Sequence, residues 1–175
     1  MPVRPILLYP DPILRRRCSE VTEFGPELAA LVADLAETMH AAPGVGLAAP
    51  QIGVTARVAV VNVTPGQPGS PMHVLVNPRI VEAEGRESDS EGCLSIPGLA
   101  EKVERPRRIR VATREIDGAP REIEAEGFLA RAICHEIDHL DGILILDRLA
   151  GLRKELAVRR LKKLPFLREG AAQTP

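Results

Sequence analysis

From Pro26 to Ala41 apolar residues recur at helical spacing, through Leu28, Leu31, Val32, Leu35 and Met39. That period predicts an amphipathic helix, with Pro26 suited to its first turn and Pro43-Gly44 stopping it. Further on the period shortens. Val58–Val63 is a β-branched run, Val74–Val76 and Ile80–Ala83 read as further strands, and Ile109, Val111 and Thr113 alternate with Arg108, Arg110 and Arg114. Asp117-Gly118 marks a turn into Arg121–Glu126, where Ile123 and Ala125 face one way and the glutamates the other, so a hairpin with Arg opposite Glu is expected. After Gly127 helical spacing returns, with Leu129, Ile133, Ile137 and Leu140 on one face, which predicts a second helix over 128–141. A third is expected over 147–164, with Leu149, Leu152 and Leu156 inward and Pro165 ending it. The stretches TPGQPGSP at 64–71 and GRESDSEG at 85–92 read as connections. Helices toward both ends with antiparallel strands between them predict an α+β fold in one domain spanning 1–175.

Composition narrows the function classes. Hydrophobic residues at 45% and charged residues at 27% exclude a disordered chain, while 2% aromatic residues exclude a base-stacking platform for single-stranded nucleic acid. The net charge of −1 hides an asymmetry, because residues 148–168 hold eight Lys or Arg against one Glu. Three cysteines, Cys18, Cys93 and Cys134, cannot all pair with one another, and the N-terminus lacks the apolar run of a secretion signal. A reducing, cytoplasmic setting is therefore expected. The longest uncharged stretch is broken by Pro65, Pro68 and Pro71, so no membrane-spanning helix is expected.

The sharpest chemical signal is His135-Glu136-Ile137-Asp138-His139, placed on the second helix. Four residues apart, the two imidazoles lie about 40° from each other around the helix and can reach one ion. Glu136 lies beside that face, where a general base can reach a water activated at the ion. A solvated face with two charged pairs is the bland alternative, but the surroundings are apolar and half of the chain's four His fall here. Two His leave an incomplete shell, and the candidates for a third ligand are Cys134, His40, His73, Glu155 and Cys93. Cys134 is turned off the ligand face, and Glu155 would suit a zincin-type metallopeptidase. Cys93 sits in Glu91-Gly92-Cys93-Leu94-Ser95, near glycines that permit close backbone approach. The uncharged segment Gly44–Gly53 contains a single polar side chain, Gln51, whose amide could hydrogen-bond an oxyanion.

Taken together and in order, GVGLAAPQ at 44–51, EGCLS at 91–95 and HEIDH at 135–139 resemble the three signature motifs of the peptide deformylase family. The likeness extends to YPDP near the N-terminus and to HLDGILILDR after the second His, where Ile145 stands in place of a more usual Phe. It implies removal of the formyl group from nascent polypeptides beginning with formylmethionine, on an α+β fold whose antiparallel sheets surround a central metal-bearing helix. It further implies Cys93, His135 and His139 as metal ligands and Glu136 as general acid/base. The Gln51 side chain and the Leu94 N–H would hold the formyl oxygen. The backbones of Val45 and Gly46 would form the substrate-binding edge, with the methionine pocket lined by Val45, Ile133 and His135. Ferrous iron is the implied native ion, and zinc, nickel and cobalt suit the same donors. The basic C-terminal helix would contact the ribosome, and removing the chain from Leu161 onward would spare activity on small formyl peptides.

Overall fold

The structure, a computed structural model, describes residues 3–67 and 69–167; Arg168 of the basic tail lies outside them. Helix α1 (Pro26–Ala41) is followed by strands β1 (Gly46–Ala48), β2 (Val58–Val61), β3 (His73–Glu84), β4 (Glu87–Gly92), β5 (Ala100–Arg105), β6 (Arg108–Arg114) and β7 (Pro120–Glu126). Helices α2 (Gly127–Leu140) and α3 (Gly151–Leu161) complete the order. All strand pairs are antiparallel, in one sheet of order β1-β2-β3-β6-β7 and a second made of β4 and β5. The fold is α+β, as the pattern predicts.

Strand β2 shows why two helices are needed. All four of its residues are buried, Val58 and Val60 against α1 and Ala59 and Val61 against α2, since successive side chains leave a strand on opposite faces. The α2 side of the large sheet also buries Leu75, Ile109, Val111, Ile123 and Ala125 under Ile133, Ile137 and Leu140. The β6–β7 hairpin turns through Asp117-Gly118, with Arg108 bonded to Glu124 and Arg110 to Glu122 on the solvent face. A third cluster gathers Leu14, Ile96, Leu99, Leu144, Leu146 and Leu149 with Ala157 and Leu161 of α3. Among the described residues no helix is long and apolar enough to cross a membrane.

Three expectations are corrected, and one segment that the pattern left unassigned is a strand. GRESDSEG is no connection, because Glu87–Gly92 forms β4 and pairs with β5; Glu91 is the one buried residue of β4, and β5 buries Glu101 and Arg105 on either side of Val103, so no apolar alternation marks the pair. The two strands expected at 74–76 and 80–83 are one, continuous through Asn77, whose φ of 51° is held by bonds from its side chain to Val21 N–H and C=O at 2.8 and 2.9 Å. Within the glycine-rich segment, Gly46–Ala48 is a strand. The third helix is shorter, and Leu152 and Leu156 point outward at 68% and 44% exposure. Leu149 and Ala150 are extended, so the helical phase restarts at Gly151 and Leu149 shares no helix face with them.

Candidate active site

Because Ile133, Ile137 and Leu140 commit one face of α2 to the sheet, His135, Glu136 and His139 are carried toward the loop between β4 and β5. His135 Nε2 and His139 Nε2 stand 3.2 Å apart, and Cys93 Sγ lies 3.3 Å from His139 Nε2. The three donor atoms all fall within 4.8 Å of one another. One soft sulfur and two imidazole nitrogens converging on a point suit a single divalent transition ion, and three protein donors leave a fourth position open. Among the described residues no other His, Cys, Asp or Glu joins this group. Cys134 packs in the core at 4% exposure, His40 is exposed at the end of α1, His73 opens β3, and Glu155 is exposed on α3.

A network of buried charge aims His135. Its Nδ1 lies 3.1 Å from Glu91 Oε2, a contact that puts the proton on Nδ1 and leaves Nε2 free to ligate. Glu91 also accepts from Arg105 at 2.8 and 2.9 Å and from Arg131 at 2.8 Å. Arg105 continues to Asp138 at 2.6 Å, and Arg148 Nε bonds the same Asp138 oxygen at 2.9 Å. Burial alone would raise the Glu91 carboxyl, but hydrogen bonds from Arg105 and His135 outweigh it and hold it at about 2. Burial pushes His139 well below the usual imidazole range, toward the neutral form a ligand needs. Sequence reasoning missed Glu91, Arg105, Arg131 and Asp138 as site residues. The one available signal was that Glu91 and Asp138 lie inside the motifs themselves.

Glu136 is 4% exposed, and its Oε2 has no hydrogen-bond partner among the described residues. Burial pushes its carboxyl up to about 7, a value suited to taking and returning a proton near neutral pH. The side chain lies across β1, where a Cβ on Gly46 would fall 2.3 Å from Glu136 Oε1, so any larger residue there would displace the carboxylate. A Cβ on Gly44 would likewise fall 2.7 Å from Leu94 Cδ1. Gln51 is held by its own short helical turn. Its Oε1 accepts from Ala48 N–H at 2.9 Å, which fixes the amide so that Nε2 reaches Ser95 Oγ at 3.1 Å and Cys93 Sγ at 3.9 Å. An amide donor thus stands beside the converging ligands.

These groups line a cleft of about 610 Å³, with Val45 and Gly46 on one side, Ser90 and Gly92 on the other, and Phe128 and Ala132 of α2 along it. Ile133 is not among its lining residues; at 0% exposure it faces the large sheet, because it shares the helix face of Ile137 and Leu140. A larger hollow of about 830 Å³ lies elsewhere, bordered by Ile137 and Asp138 of α2, but Arg57, Arg79, Arg105 and Arg148 on its wall are each already paired with a carboxylate.

An α+β frame whose Cys93, His135 and His139 could hold one metal ion, with a position left open, fits the class of single-metal enzymes. Residues 3–155 match the family model for polypeptide deformylase. A peptide deformylase of Acidobacterium capsulatum is 45% identical over 164 residues, covering 94% of this chain and 96% of that protein. A peptide deformylase structure from Legionella pneumophila superposes with a TM-score of 0.87 at 40% identity, covering 99% of this chain and all of the other. One from Synechococcus elongatus, in complex with actinonin, gives 0.87 at 34% identity, covering 95% and 92%. This chain belongs to the peptide deformylase family. The zincin-type peptidase reading is thereby set aside, and Glu155 lies outside the donor cluster that reading required.

Proposed function

We infer that this protein hydrolyses the formyl amide at the N-terminal formylmethionine of nascent polypeptides, releasing formate and a free amine. The observation that carries the reading is the convergence of Cys93, His135 and His139 donors beside a buried Glu136 and a fixed Gln51 amide. We assign Cys93, His135 and His139 as ligands of one divalent ion, which when bound supplies Lewis-acid polarisation of the formyl oxygen and a water of lowered pKa. Ferrous iron is the native ion in this reading, and zinc, nickel or cobalt fits the same donors.

Glu136 takes the proton of the attacking water and delivers it to the departing amine, one group serving at both points because its carboxyl titrates near neutrality. Gln51 Nε2 and the Leu94 N–H donate to the formyl oxygen as negative charge grows there. Gly46 belongs to β1, the terminal strand of the large sheet, so the edge away from β2 is available for an extended peptide backbone to pair in strand fashion with Val45 and Gly46. Such pairing tolerates many sequences, as processing of diverse nascent chains requires. Selectivity then falls on the methionine pocket, for which Phe128 and Ala132 stand beside the expected Val45 and His135 in place of Ile133.

The cations of α3 and the turn after it, among them Lys154, Arg159 and Lys163, offer a surface for ribosomal RNA phosphate, consistent with action on chains emerging in the cytoplasm. The test of the central reading is formate release from a formyl-Met peptide by anaerobically purified, ferrous-loaded protein, with an acetyl-Met peptide and Glu136→Ala as controls. Release confined to the formyl peptide is expected, falling about 10²–10⁴-fold in the variant while metal content is kept. Wild-type turnover in Glu136→Ala would refute the assigned role.

A further inference from the structure

One ridge of α2 borders the cleft: Phe128, then Arg131 and Ala132, then His135, spaced by single helical turns. Arg131 is the odd member of that ridge. A guanidinium only 4% exposed is costly to bury unless its donors are used, and here the acceptors all come from the small sheet. Its Nη1 donates to the Val103 carbonyl and to Glu91 Oε1, each at 2.8 Å, and at 3.4 Å to the Asp89 carbonyl. Its Nη2 donates to the Glu87 carbonyl at 2.8 Å. Three of these acceptors are main chain, on both β4 and β5, and among the described residues no other side chain of α2 bonds the main chain of either strand. Glu91 does not depend on this contact, because Arg105 gives its carboxylate two bonds, at 2.8 and 2.9 Å. The wall of the cleft facing α2 is β4 itself, through Ser90 and Gly92. Helix wall and strand wall are thus joined by one planar group, a single turn before His135.

We propose that Arg131 is a positioning residue that ties α2 to β4 and β5, so that it sets the width of the cleft beside the converging donors and with it the fit of the substrate's formylated residue. The inference deepens the deformylase reading and rests on it. Arginine is required for a geometric reason: its rigid fork of N–H donors spans carbonyls on two strands, whereas lysine offers one nitrogen and an apolar side chain none. Without the tie, the wall that carries Ser90 and Gly92 moves away from Phe128 and Ala132. A wider slot discriminates less between side chains of different bulk.

The experiment compares kcat/KM of zinc-loaded wild type and Arg131→Met on two short peptides that differ only in the formylated residue, Met or Phe. The ratio of the two values is read because any loss of folded enzyme cancels in it. The Met-over-Phe ratio should fall about tenfold in Arg131→Met, the size of one poorly fitted group in an apolar pocket, with the change in KM rather than kcat. Zinc loss to excess chelator should stay near the wild-type rate, because Arg105 still holds Glu91. Arg131→Lys should lose the ratio as well, and Ile109→Ala, which weakens the large sheet, should keep it. A wild-type ratio in Arg131→Met with a lower melting temperature would overturn the proposal, leaving the residue a stabilising one only. A wild-type ratio with much faster zinc loss would also overturn it, by showing that Arg131 acts through Glu91 on the metal. Should Arg131→Met fail to fold, Arg131→Lys decides on the same two readouts. No formate from wild type on either peptide would instead refute the deformylase reading. Amide hydrogen exchange across β4, which needs no turnover, then decides for the tie: faster exchange in Arg131→Lys is expected, and unchanged exchange would sink it.

Discussion

The β6–β7 hairpin and the β4–β5 pair bury different chemistry. In β6 and β7 the inward positions are Ile109, Val111, Thr113, Ile123 and Ala125, none of them charged, and the arginines and glutamates stay on the solvent face. In β4 and β5 the inward positions are Val103 and three charged residues, Glu91, Glu101 and Arg105, all buried, and the solvent face is largely polar as well. Hydrophobic burial stabilises without direction, so the large sheet can support α2 but cannot orient a ring upon it. A buried carboxylate with several donors is directional and costly to leave unpaired, so the small sheet is the one that turns His135. Stability and orientation are thus divided between two ladders on either side of one helix.

That division can be broken experimentally. The largest effect on metal binding should follow Glu91→Gln, which removes the charge facing Arg105, Arg131 and His135. Metal affinity, read by competition with a chelator, is expected to fall by about 10–100-fold, and an unchanged affinity would make the small sheet merely a second core. Ile109→Ala, in the large sheet, should lower unfolding free energy by about 2–5 kcal/mol in denaturant titration while kcat of the folded enzyme is kept. A loss of kcat at full folding would show that the large sheet also orients the site.

The smallest effect concerns the cysteines. Cys18 and Cys134 pack in the large-sheet core, where burial pushes each thiol up to about 11, so both remain protonated at pH 8 and gain thiolate only as pH rises toward that value. Cys93 lies half-buried in the cleft wall. Iodoacetamide at pH 8, followed by mass spectrometry, should label Cys93 once the metal is removed and leave the other two unmodified in the folded protein. Rapid labelling of Cys134 would contradict its place in the core.

Much of this was legible in the chain because it rests on local period or local chemistry. The spacing of Leu28 to Met39, the alternation through Ile109–Thr113, the Asp117-Gly118 turn and the paired His of α2 each declare themselves within a dozen residues. The β4–β5 pair was not legible, since its core side is charged except at Val103 and a polar run reads as a loop when its partners are unknown. The phase of α3 was lost for a related reason: an extended break at Leu149–Ala150 leaves no mark in the spacing of leucines.

By itself, then, the sequence determined the α+β class, the helix bearing His135, Glu136 and His139, and the motif segments that contain Gln51 and Cys93. Only the tertiary structure decided that Glu91 grips His135, that Gly46 lies bare beneath Glu136 and that Ile133 turns to the sheet. Periodicity is a property of neighbours along a strand or helix and survives in the string of letters. Support of one side chain by another forty or more residues away depends on which surfaces the core brings together, and the string carries no record of that until the chain has folded.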